Sequence, residues 1–381
     1  AGTERDVTLF NCFVMGTIDD SMDGIFAALK EGAITMQAGG GVGYDFSTLR
    51  PAGTRARRTG NIASGPVSFM RIWDATCATL LSMGARRGAM MGTLRCDHPD
   101  IEEFIEAKRD LRELRNFNLS VLISDDFMEA VAQDRSWPLV FPDGDIDGDG
   151  ETVERHWPGK EGAVRCRVLR SVPARSLWQR IMRANYDCAE PGVLFQDRIN
   201  ANNNLSYCEH ISATNPCGEI PLPPYGACDL GAMNLTRFVL QPFSASARLD
   251  LESLADAAAI ATRLLDNVID VSRFPLPAQA EGARASRRLG LGFTGLADAL
   301  AMLGLRYGSE QGRETAAQAM ATIRAAAYQA SAAAASEKGS FPLYDAKKYR
   351  ASADLSALPG HVIDDIEKHG LRNSHLTTIA P

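Results

Sequence analysis

The sequence predicts an α/β fold with a mostly buried sheet, and three observations carry that prediction. Helix-prone segments alternate with short apolar runs rich in β-branched and aromatic residues. Polar or glycine-rich turns separate them. With 381 residues and 45% apolar content, the chain can close a sizeable core.

Taken in order, VTLFNCFVM at 7–15 reads as the first strand, because its aromatic and β-branched residues suit a pleated, buried surface. A helix over 20–37 follows, then the glycine-dense loop GGGVG at 39–43 and the loop RPAGTRARRTG at 50–60. Helices at 66–83 and 99–108 flank the loop MGARRGAMMG at 83–92. FNLSVLI at 117–123 and WPLVF at 137–141 read as strands, and PDGDIDGDG at 142–150 as an acidic loop. A helix at 174–187, a strand at GVLFQ (192–196) and a proline-rich loop, IPLPPYG at 220–226, come next. The last third is helical, over 252–271, 309–337 and 360–369; the second of these is so alanine-rich that propensity alone favours it. No internal repeat or low-complexity linker interrupts the chain, so one compact catalytic domain over 1–381 is the simplest division.

The formal charge of −7, without a Lys/Arg-rich face, argues against polymeric nucleic acid as a partner. No apolar run approaches the ~18 residues of a membrane span, and AGTERDVTLF lacks the regions of a signal peptide, so a cytoplasmic address is expected. Eight cysteines without any C-x-x-C fit neither a zinc finger nor a disulfide framework. In a reducing compartment most are thiols, and a few can do redox chemistry. A start without Met and an end at TTIAP suggest a piece of a longer chain.

Three motif matches are weak. Asp143, Asp145, Asp147, Gly148 and Glu154 satisfy the spacing of a calcium-binding EF-hand loop, but SWPLVFP before them is strand-like and a solvated acidic hairpin loop is the better reading. Gly290, Gly292 and Gly295 spell the dinucleotide fingerprint, so a nicotinamide-dependent oxidoreductase is the alternative function. EGARASRRL before them is too charged for the required strand, and a glycine-permitted packing turn competes with that reading. GGGVG lacks the Lys-Ser/Thr of a P-loop; its glycines still imply close backbone approach by a strand or by a flat ligand such as a nucleoside.

The segment TNPCGEIPL holds the chemistry. Pro216 biases Asn215 toward an extended conformation and Gly218 permits a tight turn after Cys217, which places the thiol on a stiff loop tip. In an extended loop, Asn215, Cys217 and Glu219 point to one side, so an amide, a thiol and a carboxylate converge. A nucleophilic thiol would want a His, and the nearest is His210; a metal site would want more ligands. The apolar, proline-rich surroundings suggest a dry site that keeps the thiol protonated and able to give up a hydrogen atom. A buried structural cysteine stays open as the alternative.

TNPCGEIPL, together with LFNCFV, QAGGGVGYDFSTLRP, SGPVSFMRIWDA, GARRGAMMGTLRCDHPDIEEFI, YGACDLGAMNL and RLGLGFTGLADAL, resembles the catalytic subunit of ribonucleotide reductase. The resemblance runs from about residue 7 to the last residue, and its wording is closest to the class II, adenosylcobalamin-dependent ribonucleoside-diphosphate reductases. It implies a ten-stranded α/β barrel of two antiparallel five-stranded halves, with the radical cysteine on a central finger loop, here truncated at the C-terminus. It implies Cys217 as the thiyl that removes the 3′ hydrogen of a ribonucleotide, Glu219 as the base for the 3′-hydroxyl and Asn215 as the amide that holds the ribose hydroxyls. Cys12 and Cys228 match the redox pair, reloaded by thioredoxin, glutaredoxin or a similar reductant. Asn11, Cys12, Gly41, Asn215, Pro216, Cys217, Gly218, Glu219 and Pro381 match substrate contacts; the phosphate loop would begin at Pro381. Asp20, Ser21, Arg50 and Arg57 match contacts to a deoxynucleotide or ATP effector, with a homodimer implied. A class I relative would instead take its radical from a metal-containing partner subunit.

Overall fold

A computed structural model of the chain describes residues 7–55, 62–80, 88–110, 112–146 and 150–380. They fall into two compact units, one of Cys12–Ala201 with His210–Gly226, the other of Ala1–Asn11, Asn202–Glu209 and Ala227–Pro381.

In the first unit strands and helices alternate: β1 (Cys12–Val14), α1 (Met22–Gln37), β2 (Gly41–Asp45), α2 (Pro66–Thr79), β3 (Met90–Arg95), α3 (Ile101–Glu106), β4 (Phe117–Ile123) and α4 (Asp125–Ala132). Then come β5 (Ser136–Pro142), β6 (Thr152–His156), β7 (Ala163–Pro173), α5 (Ala174–Cys188), β8 (Gly192–Phe195), α6 (Gln196–Ala201) and the short strands β9 (Ala213–Thr214) and β10 (Pro221–Leu222). Strands β1, β2, β3, β4 and β8 lie side by side in that order, all parallel. The first strand is shorter than VTLFNCFVM suggests, because the amide of Phe10 bonds locally to the Thr8 hydroxyl instead of joining a ladder.

The register explains how this sheet makes a site. Paired residues on neighbouring strands share a face, and faces alternate along each strand. Val42, Met90 and Phe117 form one row, with Tyr44, Gly92 and Leu119 in the next but one. This apolar face carries the helices: Trp73 of α2 packs edge-on to Tyr44, and the Tyr44 hydroxyl donates to the Ala28 carbonyl of α1. The opposite face holds Gly43, Met91 and Asn118 in one row and Asp45, Thr93 and Ser120 in another. A parallel sheet is usually apolar on both faces. Here, apart from Met91, one face is small or polar, the composition of a surface that meets a loop or a ligand.

GGGVG and MGARRGAMMG, expected as loops, run into strands, since Gly41–Gly43 belong to β2 and Met90–Gly92 to β3. Residues 83–87 of the second lie outside the described residues. Strands β5, β7 and β6 form a separate antiparallel sheet around Val140, Phe141, Ile146, Trp157 and Cys166. The EF-hand spacing falls between β5 and β6, so the flanking helices it needs are strands. Asp143 pairs with Arg165 and Arg167, and Asp145 with Lys160; Asp147 and Gly148 lie outside the described residues.

The second unit contains β11 (Ala227–Asn234), β12 (Val239–Leu240), β13 (Arg248–Leu249), α7 (Leu251–Val271), α8 (Pro277–Ser286), β14 (Leu289–Thr294), α9 (Leu296–Met302), α10 (Glu310–Lys338), α11 (Ala346–Ser352) and α12 (Gly360–His369). Its last third is helical, as the sequence predicts. Strand β14 runs parallel to β11 and contains Gly290 and Gly292, whereas Gly295 starts α9 in the left-handed conformation. The fingerprint thus lies within a strand instead of on the turn after one. A side chain at Gly292 would strike the Thr378 carbonyl, so the chain's own backbone fills the space that a dinucleotide would need. Buried Asp266 of α7 takes Arg287, just after α8, Lys338 of α10 and Asn373 near the end of the chain as partners. Among the described residues no helix is long and apolar enough to cross a membrane.

Asp229 of β11 is buried, and its Oδ2 has no hydrogen-bond partner. Burial pushes its carboxyl up to about 7, against a backbone hydrogen bond from Leu230 that favours the anion. An unfolded Asp titrates near 3.9, so between roughly pH 4 and 7 the folded chain keeps a proton that the unfolded chain has released. Stability therefore falls as pH rises through that window. Urea unfolding of the full-length protein at pH 5 and pH 8 should show a smaller drop in Asp229→Asn than in the parent; equal drops would count against this.

Candidate active site

Residues 213–222 form a hairpin, with Thr214 opposite Pro221 and Ala213 opposite Leu222. Its tip is a tight turn, because the Gly218 amide donates to the Asn215 carbonyl at 3.1 Å. Asn, Pro and Gly at the first, second and fourth positions are the residues that the commonest β-turn prefers. Gly218 has φ of 88°, a left-handed conformation that glycine adopts without strain. Cys217 therefore sits at the corner of a stiff turn, and its residue is exposed.

This differs from an extended loop with three side chains on one side. Asn215 is fully buried; its Oδ1 accepts the Ile220 amide at 3.0 Å and its Nδ2 donates to Cys12 Sγ at 3.3 Å. One amide side chain thus closes the hairpin and joins it to β1. Glu219 is partly buried, and its Oε2 is enclosed without a hydrogen-bond partner. The expected dry surroundings of the thiol are not seen in this chain, since the turn presents Cys217 outward.

The hairpin rests on the small, polar face of the sheet. A Cβ at Gly43 would overlap the Thr214 carbonyl oxygen, so the glycine of β2 is what lets the hairpin lie so close. Gly41 pairs with Cys12 in the ladder between β1 and β2. Thr93 of β3 donates to the Ser212 carbonyl at 3.0 Å, and Asn118 Nδ2 of β4 donates to the Pro216 carbonyl at 2.7 Å. The glycine-dense segment expected to meet a strand or a ligand meets this hairpin. No motif marks Thr93 or Asn118, although the alternation of Asn118 and Ser120 within FNLSVLI signals a polar strand face.

The other expected residues divide as follows. Cys12, Gly41, Asn215, Pro216, Cys217, Gly218 and Glu219 share the first unit, whereas Asn11 and Cys228 belong to the second. Cys228 is buried on β11, and its thiol donates to the Asp229 carbonyl at 3.7 Å. Asp20, Ser21 and Arg50 come together at the start of α1: Ser21 caps the helix through the Gly24 amide, and Arg50 Nε meets Asp20 Oδ2 at 2.6 Å. Burial raises the Asp20 carboxyl above its ordinary range despite that ion pair. Arg57 and Pro381 lie outside the described residues.

The chain thus has a mixed α/β fold with a cysteine hairpin seated on a parallel sheet. Residues 10–381 match the model of the ribonucleotide reductase barrel domain, and the chain belongs to that family. It is 40% identical over its whole length to a vitamin B12-dependent ribonucleoside-diphosphate reductase of Mycobacterium tuberculosis (strain CDC 1551 / Oshkosh), covering 49% of that protein. A protein of the same description from Thermoplasma acidophilum is 36% identical over the whole chain, which covers 44% of it. The ribonucleoside-diphosphate reductase subunit alpha of Chlamydia muridarum is 29% identical over 99% of the chain, which covers 39% of that subunit. The chain spans about half the length of the first two of these relatives, or slightly less.

Proposed function

We propose that the full-length protein reduces ribonucleoside diphosphates to 2′-deoxyribonucleotides by radical chemistry at Cys217. The observation that carries this reading is the bond from Asn215 to Cys12, which draws a buried thiol from the start of the chain to the turn that bears the exposed thiol. Family membership and the names of the relatives support it.

In this reading a thiyl at Cys217 Sγ takes the 3′ hydrogen atom, and the uncommitted Glu219 Oε2 accepts the 3′-hydroxyl proton. The 2′-hydroxyl then leaves as water. Cys12 and Cys228 supply two electrons and two protons as they close a disulfide, and Cys217 returns a hydrogen atom to C3′, which restores the thiyl. A thioredoxin- or glutaredoxin-type dithiol reopens the disulfide. Asn215 orients both the hairpin and the ribose, and Asn11, Gly41, Pro216 and Gly218 frame the substrate. The names of the relatives favour adenosylcobalamin, which supplies the initiating radical when bound; the outward-facing Cys217 is compatible with a group that must reach its sulfur. The five parallel strands of the first unit are compatible with part of a ten-stranded barrel, with the hairpin as its finger loop. A cytoplasmic homodimer with an effector site at Asp20, Ser21, Arg50 and Arg57 completes the proposal.

The test is turnover of a ribonucleoside diphosphate by the full-length protein with adenosylcobalamin, a dithiol and no second subunit. Wild-type protein should form deoxynucleotide and Cys217→Ser should form none. Product from the serine variant would remove Cys217 from the chemistry, and a need for a second subunit would remove the cobalamin assignment.

A further inference from the structure

Asn118 is the exposed member of a strand whose other residues are buried. An amide in the middle of an apolar strand needs a reason. Its Nδ2 donates to the Pro216 carbonyl at 2.7 Å, a short bond for an amide donor. That oxygen belongs to the peptide plane shared by Pro216 and Cys217. Because the plane is rigid, holding the oxygen also sets the direction in which the Cys217 backbone leaves it.

The other bonds of the tip close the loop on itself: Gly218 N to Asn215 O, and Ile220 N to Asn215 Oδ1. The bond from Asn118 instead ties the cysteine's side of the turn to the sheet. The register places Gly43, Met91 and Asn118 in one row across three strands. Gly43 clears room for the Thr214 carbonyl, Met91 Cε lies beside Gly218, and Asn118 holds Pro216. Neighbouring strands thus meet successive parts of one hairpin.

We propose that Asn118 is a positioning residue that aims the Cys217 thiol by clamping the Pro216 carbonyl. It acts on turnover through the turn and not by touching the substrate. The proposal rests on the reading of Cys217 as the reacting thiol.

The full-length protein tests it with three variants. Asn118→Asp keeps the shape and loses the donor, Asn118→Ala loses both, and Asn118→His offers a ring N–H in place of the amide. A thiol displaced by about 1 Å loses on the order of 10²-fold in rate, so the first two should lower kcat by about that factor. KM should stay within about twofold, because ground-state binding is untouched. Asn118→His should recover most of the loss, with thermal unfolding unchanged throughout. The rate at which iodoacetamide alkylates Cys217 should also change in Asn118→Asp, a readout of the turn that needs no turnover.

A kcat within about twofold of the parent in Asn118→Asp and Asn118→Ala would overturn the proposal. So would a raised KM at unchanged kcat, which marks a substrate contact, or failure of all three variants to fold. An unaltered alkylation rate in Asn118→Asp overturns the clamp while leaving the functional reading intact. Turnover by Cys217→Ser overturns the functional reading while the alkylation result still reports the clamp.

Discussion

Gly43→Val in the full-length protein is expected to abolish most turnover and to lower stability together. The added carbon points at the Thr214 carbonyl, a backbone atom that cannot swing aside as a side-chain tip can. Either β2 bends away from its neighbours β1 and β3, or the hairpin lifts off the sheet with Cys217 on it. Overpacking of this kind costs about 1–3 kcal/mol. A shift of about 1 Å at the thiol costs on the order of 10²-fold in kcat. Gly144→Ala, where the added carbon meets open space, is the control and should change neither. Wild-type kcat in Gly43→Val would mean that the hairpin does not need its seat.

Asn215→Ala should be as damaging for a different reason. It leaves the Ile220 amide without its acceptor inside the hairpin, at a cost of about 1–3 kcal/mol, and frees the turn from Cys12. Asn215→Asp separates these effects. An Asp oxygen still accepts from Ile220, but the donor to Cys12 Sγ is gone; because the position is fully buried, an ionised carboxylate there adds its own desolvation cost, so turnover should fall and any loss of stability should grow as pH rises. Denaturation midpoints and kcat measured on the same preparations decide it; an Asn215→Asp protein as active as the parent would show that the amide–sulfur bond is dispensable.

Much of the fold was legible because it rests on local physics. Ala-rich α10 and amphipathic α5 and α7 stand within one or two residues of their expected bounds. The glycine segments were not legible as strands, because nothing near them in sequence reveals that a hairpin from residues 213–222 will lie across Gly43. The same distance hides Asn118, whose partner is the carbonyl of Pro216. The turn at Cys217 could be read, since Asn, Pro and Gly specify it; the inward swing of Asn215 toward Cys12 could not, being a contact between residues far apart in the chain.

The two-faced character of β4 also bears on which kinds of sequence change this protein can accept. Deleting one residue between Asn116 and Ser120 would rotate the following side chains half a turn, and the apolar row that supports the helices would face the thiol. Many point substitutions on this strand can be absorbed by repacking; a single-residue indel cannot. Length variation among natural or engineered variants should therefore accumulate in the loops and spare β2, β3 and β4, whatever identities their side chains drift to.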